Sequence, residues 1–168
     1  MTYLPPTLPP AGAVFMDERR HRLYLWRRWS DGPEVMFVGV NPSTANEYKD
    51  DPTVRRCAGF AKRWGYGTMF MCNAFTLVSS DPSVLKDNTL FDLLDPANDL
   101  ALRVIRRRCR QAVVAWGDLI TLSRFGKERA IRVCEMLEPV DCFGITQAGQ
   151  PRHPLYLRND TELTKLAP

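Results

Sequence analysis

Histidine is scarce in this chain, with two copies (His21 and His153) in 168 residues. That scarcity argues against a histidine-rich metal site, since such centres draw most of their nitrogen ligands from imidazole. The cysteines (Cys57, Cys72, Cys109, Cys134, Cys142) are odd in number and include no Cys-x-x-Cys pair. The spacing excludes a disulfide framework or a zinc ribbon and predicts reduced, mostly core, thiols. Long apolar runs are missing too. The longest, at 35–38 and 112–116, fall far short of the roughly 20 residues that span a bilayer. The first residues lack a basic segment followed by an apolar one, so neither a signal peptide nor a membrane association is expected, and the location expected is cytoplasmic. No metal and no cofactor are expected.

What is present is an ordinary globular composition, 45% hydrophobic and 25% charged, in a length that suits one domain with a sizeable core. The net charge of +4 is modest, but arginine gathers at 19–28, 55–63 and 103–110. Three basic stretches suit a polyanion, because neutralised phosphates supply most non-specific nucleic-acid affinity. Each stretch taken alone reads equally as a solvated helix face.

Residues 1–12, with Pro5, Pro6, Pro9 and Pro10, predict an extended arm, and 13–168 a single α/β domain. The segment 15–30 mixes charged and aromatic residues and fits a strand or a helix. Asp31-Gly32-Pro33 is a turn, after which 34–38 reads as a buried strand running into Asn41-Pro42-Ser43-Thr44. Asp51-Pro52 is an N-cap and first-turn pair opening a helix over 53–64, whose apolar positions Val54, Cys57, Ala58 and Ala61 recur at helical spacing. A strand at 68–72 ends at Asn73, a helix spans about 99–110, and a strand at 112–115 ends at Trp116-Gly117. A helix over 119–137 and a strand at 141–145 complete the alternation. That order predicts a three-layer sandwich around a short, mainly parallel four-stranded sheet. Ligands in such sheets bind beyond the carboxyl ends of the strands, where Asn41, Asn73, Trp116-Gly117 and the loop to His153 converge.

Four segments carry the chemistry: Gly39-Val40-Asn41-Pro42, Met71-Cys72-Asn73, Val114-Ala115-Trp116-Gly117 and His153-Pro154-Leu155. Their order and spacing resemble the uracil-DNA glycosylase superfamily, including its mismatch-specific uracil/thymine branch, over roughly residues 34–157. The chain also resembles a family of uncharacterised small bacterial and phage proteins that share these motifs. The first resemblance implies a uracil-DNA-glycosylase-like fold, a DNA partner in single- or double-stranded form, a monomer, and cleavage of the N-glycosidic bond of a flipped base. It assigns Asn41 to holding the attacking water, Asn73 to reading a base edge, and His153 to donating to the departing base or a phosphate. Tyr48, with Phe75 as second candidate, becomes the stacking ring. Gly39, Val40, Pro42, Pro154 and Leu155 line the substrate pocket, and Ser43, Thr44, Arg55 and Arg152 brace the DNA backbone.

Plainer roles compete at each position: Asn41 as a turn cap, Asn73 as a strand-end amide, His153 as a loop histidine, Phe75 as core, and Arg55 with Arg56 as surface charge. Two departures from the pattern stand out. Asp51 is explained as a helix cap, whereas Asp50 is not, and it is a candidate auxiliary base. Leu155-Tyr156 replaces the serine that follows the histidine-proline pair in the superfamily, which suits an apolar wedge in DNA better than a phosphate pinch. Both departures favour a non-standard or modified pyrimidine, in keeping with the handling of modified phage DNA. The alternatives are an enzyme that modifies a base in place, a non-catalytic DNA- or nucleotide-binding module, and a small-molecule hydrolase on the same scaffold.

Overall fold

The computed structural model describes residues 8–166. A mixed seven-stranded sheet of order β1-β2-β4-β3-β5-β6-β7 forms its spine. The strands are β1 (Ala11–Met16), β2 (His21–Arg28), β3 (Glu34–Gly39), β4 (Thr68–Asn73), β5 (Gln111–Val114), β6 (Asp141–Cys142) and β7 (Thr164–Lys165). The expected four-stranded, mainly parallel sheet is thus corrected to seven strands of mixed direction. Its parallel part is the adjacent run β4-β3-β5-β6. Antiparallel β1 and β2 extend one side of that run, and β7 the other.

The ambiguous segment 15–30 belongs to the β1–β2 hairpin. Its strand character is set by tertiary context: Tyr24, Leu25 and Trp26 pair against Cys72, Met71 and Phe70 of β4. The expected extended arm is corrected in its later part. Residues 1–7 lie outside the described residues, but Leu8 is buried, Trp26 Nε1 donates to Pro9 O at 3.0 Å, and β1 begins at Ala11.

Strands β3 and β4 read as continuous apolar runs because both sheet faces are covered. One face packs Val35, Phe37, Met69 and Met71 against α1 (Pro52–Arg63), through Val54, Cys57, Phe60 and Ala61. The other packs Met36, Val38, Phe70 and Cys72 against α4 (Asn98–Arg108) and α5 (Gly126–Leu137). Two single-turn helices, α2 (Val84–Asp87) and α3 (Leu90–Leu93), lie between β4 and α4. The helix expected over 119–137 is split: a 3-10 turn at Asp118–Leu122 precedes α5, and Gly126 is the break. A side chain at Gly126 would lie 1.8 Å from Ile120 O, so only glycine lets the two pieces meet. The five cysteines are free thiols, four of them buried. Among the described residues no helix is long and apolar enough to cross a membrane.

In chain order β3 is followed by β4 on one side and, after a crossover, by β5 on the other. The crevice at the carboxyl end of β3 is therefore where the winding reverses, the position at which open α/β sheets hold ligands.

Candidate functional site

At that crevice lies a small cavity of about 50 Å³. The expected residues Gly39, Val40, Asn41, Ser43, Asn73 and His153 all line it. Arg22, Asp51 and Thr53 complete its polar wall, with Val54 and Met71 on the apolar side.

Each polar group is oriented by its own element. Gly39 pairs with Asn73 across β3 and β4, and a side chain at Gly39 would lie 3.0 Å from Asn73 Oδ1. Glycine there leaves room for the Asn73 side chain over the strand end. Asn73 is 1% exposed, and its Nδ2 has no hydrogen-bond partner among the described residues. Asn41 donates from Nδ2 to the carbonyls of Pro42, Leu77 and Ser79 at 3.0–3.3 Å. It thereby staples its own loop to the loop after β4. Its Oδ1, the acceptor end, makes no hydrogen bond among the described residues.

His153 receives the Leu155 N–H at Nδ1, 3.3 Å away. A ring nitrogen that accepts carries no proton, so in the neutral imidazole Nε2 is the donor. Burial holds the ring below its ordinary pKa of 6.5, and Asp51 opposes that shift. His153 is thus a neutral donor at neutral pH. Gly117 supports it from behind: at φ +64° its N–H donates to Pro151 O, and a side chain there would lie 3.0 Å from His153 Cβ. Arg56 clamps the same loop to α1. Its guanidinium donates to Pro154 O at 3.3 Å, to Leu157 O and to Asn159 Oδ1, with its plane 4.8 Å from the Phe60 ring centre.

Other expected residues fall elsewhere. Tyr48 is corrected as a stacking ring: it is 95% exposed and outside the cavity wall. The cause is local, since Asn46 Oδ1 accepts from the N–H groups of Tyr48 and Lys49 and closes a tight turn that throws the ring outward. Phe75 is fully buried in the core beside Leu85, Leu93 and Leu102, which corrects its candidacy as a platform. Asp50 is likewise outside the wall, its carboxylate engaged by Arg27 at 2.7–2.8 Å. Its neighbour Asp51 faces the cavity instead. Asp51 Oδ1 caps α1 by accepting from Val54 N–H at 2.8 Å, while Oδ2 has no partner among the described residues. Pro154 is buried in a 3-10 turn (Pro154–Tyr156) beside the site, and Leu155 follows it. Neither lines the cavity, nor do Pro42 and Thr44. Arg55 donates to Asp50 O, and Arg152 is exposed next to the His153 loop.

The arginine stretches are mostly committed inside the fold. Arg19 pairs with Glu47, Arg20 with Asp92, Arg27 with Asp50, and Arg108 with Glu34, while Arg106 donates to the carbonyls of Leu137 and Pro139. Arg22, in contrast, is 2% exposed at the cavity wall. Burial pulls its pKa down to about 10 against the opposing charge of Asp51, so it keeps its proton at neutral pH. Beside the cavity, and sharing Ser43 with it, runs a groove of about 410 Å³ lined by Phe15, Arg19, Thr44, Asn46 and Ser79. Arg22 and Asp51 were not legible as site residues. An arginine in a mixed strand looks like surface charge, and a capping aspartate looks fully explained.

The family described as a protein of unknown function (DUF1643) matches residues 22–155, and the chain belongs to that family. No curated protein and no solved structure matches the chain. The matched span opens at Arg22 and takes in the whole cavity wall through His153.

Proposed function

We propose that the cavity is the active centre of a DNA glycosylase-like enzyme that cleaves the N-glycosidic bond of a flipped, non-standard pyrimidine. The observation that carries this reading is the meeting of Asn41, Asn73 and His153 on one cavity at the switch point of the sheet. In this mechanism a water between Asn41 Oδ1 and the Asp51 carboxylate attacks C1′ while the bond from C1′ to the base breaks. The bonding pair leaves with the base, and the water's proton passes to Asp51. A carboxylate is a far better base than an amide, so Asp51 takes the role first given to Asp50, and Asn41 orients. His153 Nε2–H donates to an oxygen of the departing base, where charge develops, in a site sheltered from water. Asn73 offers Nδ2 and Oδ1 to the base edge.

At about 50 Å³ the cavity is smaller than a pyrimidine needs. The reading therefore requires the His153 loop or the Ser43 segment to part when the base enters. Tyr156, 89% exposed in the turn that follows His153, would serve as the wedge in the vacated stack.

The test is incubation with duplexes carrying uracil, thymine mismatches, hydroxymethylated and glycosylated pyrimidines, followed by detection of abasic sites. Abasic product that disappears in Asn41→Ala and His153→Ala supports the reading. The alternative, a non-catalytic DNA- or nucleotide-binding module, would be established by tight binding without product, unchanged in both variants. Absence of any DNA binding at low salt would sink the DNA partner itself.

A further inference from the structure

Arg22 is a buried charge that forms no ion pair among the described residues. Its Nη1 donates to Ala45 O at 2.7 Å, but its buried Nε has no partner among the described residues. Asp51 attracts it across the cavity without forming an ion pair, and Oδ1 of that carboxylate is already spent on α1. The free edge of the guanidinium is therefore the one bearing Nε, where two parallel N–H groups form a fork that matches the two oxygens of a carboxylate. Asn73 Nδ2, the second buried donor without a partner, belongs to the same wall. The third contribution is the start of α1. Pro52 has no N–H and Val54 N–H is capped, which leaves the Thr53 amide at the positive end of a 12-residue helix beside the cavity.

We propose that this cavity is a receptor for a carboxylate, held by the Arg22 fork, Asn73 Nδ2 and the amino end of α1. The small cavity, about 50 Å³, suits the compact planar head of a carboxylate. The rest of the ligand lies in the adjoining groove, which meets the cavity at Ser43. This receptor does not depend on the glycosidic chemistry: the Arg22 fork and the α1 amide are donors that the glycosylase reading leaves unused, and only Asn73 Nδ2 is shared between the two.

The experiment measures thermal unfolding and binding with acetate, with orotate (an acid on a pyrimidine ring), with neutral uracil and with inorganic phosphate, at constant ionic strength. Acetate and orotate are expected to raise Tm by roughly 5–11 °C at a 100-fold excess over Kd, and uracil not to. Arg22→Gln should weaken acid binding at least tenfold. Should that variant fold poorly, Asn73→Asp supplies an independent reading. Its new carboxylate occupies the acid's place, so it should abolish acid binding while raising Tm in acid-free buffer by pairing with Arg22. No response to either acid, a response unchanged in both variants, or a response to phosphate alone would overturn the receptor. Because the readout is equilibrium binding, abasic product without acid binding removes the receptor and keeps the glycosylase, and acid binding without product does the reverse.

Discussion

Replacing Arg56 by alanine separates the scaffold from the site. The guanidinium ties α1 to the His153 loop through Pro154 O, Leu157 O and Asn159 Oδ1. The Asn159 bond is solvent-exposed and contributes little; the two carbonyl bonds are half-buried, at about 1 kcal/mol each net. Arg56→Ala should therefore cost about 2 kcal/mol, or a Tm lower by roughly 4–8 °C in a chain of this length. The sheet is untouched, so far-ultraviolet circular dichroism should not change. The loop, however, loses its anchor. Since burial depresses the His153 pKa, a released loop should let the imidazole titrate nearer 6.5, as read by NMR. Arg56→Lys keeps one donor of the fork and should fall between. The clamp is refuted if Arg56→Ala shifts Tm by less than about 1 °C and leaves the His153 titration where it was.

Acid should destabilise the fold before its carboxylates titrate. Burial lowers the pKa of both His21 and His153, so between folded and unfolded values only the unfolded chain binds the proton, and stability is full above pH 6.5 and lost below it. Urea midpoints from pH 7.5 to 5.5 should fall, and less steeply in His21→Gln and His153→Gln; a rise on acidification would contradict the burial. Gly117 and Gly149 both hold positive φ (+64° and +79°), but only a side chain at Gly117 meets His153. Alanine at either should cost about 1–2 kcal/mol of backbone strain, while only Gly117→Ala should perturb the His153 NMR signal. Asp50→Asn should weaken the tie to Arg27 and spare base release. Asp51→Asn should keep the helix cap, asparagine being as good there, and lose base release; equal activities of the two variants would return Asp51 to a purely structural role.

Strands β3, β4 and β5 and helix α1 were legible because their local signals agree with the fold: unbroken apolar runs, an Asp-Pro start, helical spacing of Val54, Cys57 and Ala61. The hairpin was not, because its charges and aromatics satisfy two periodicities and the partner that decides, β4, is distant in sequence. The same gap hid Arg22, which meets Thr76 O and Ala45 O, groups distant in sequence, rather than its neighbours in the strand. Asn41, Asn73 and His153 were legible as strand-end and loop residues. Tyr48 was misplaced because the turn made by Asn46 is a matter of side-chain hydrogen bonding that spacing does not reveal. The arginine stretches suggested a basic surface, but most of their guanidiniums meet carboxylates or carbonyls within the fold.

The position of Arg22 has a consequence for how the site comes into being. Its strand and the His153 loop are far apart in sequence, so the cavity is closed by contacts between distant parts of the chain. Competence then requires two separate dockings, of the hairpin onto β4 and of the loop onto α1, and the fraction of competent molecules is the product of both equilibria. A ligand that touches Arg22 and His153 together draws on both. It should slow amide exchange in β2 and in residues 153–157 alike, although neither segment touches the other through the sheet.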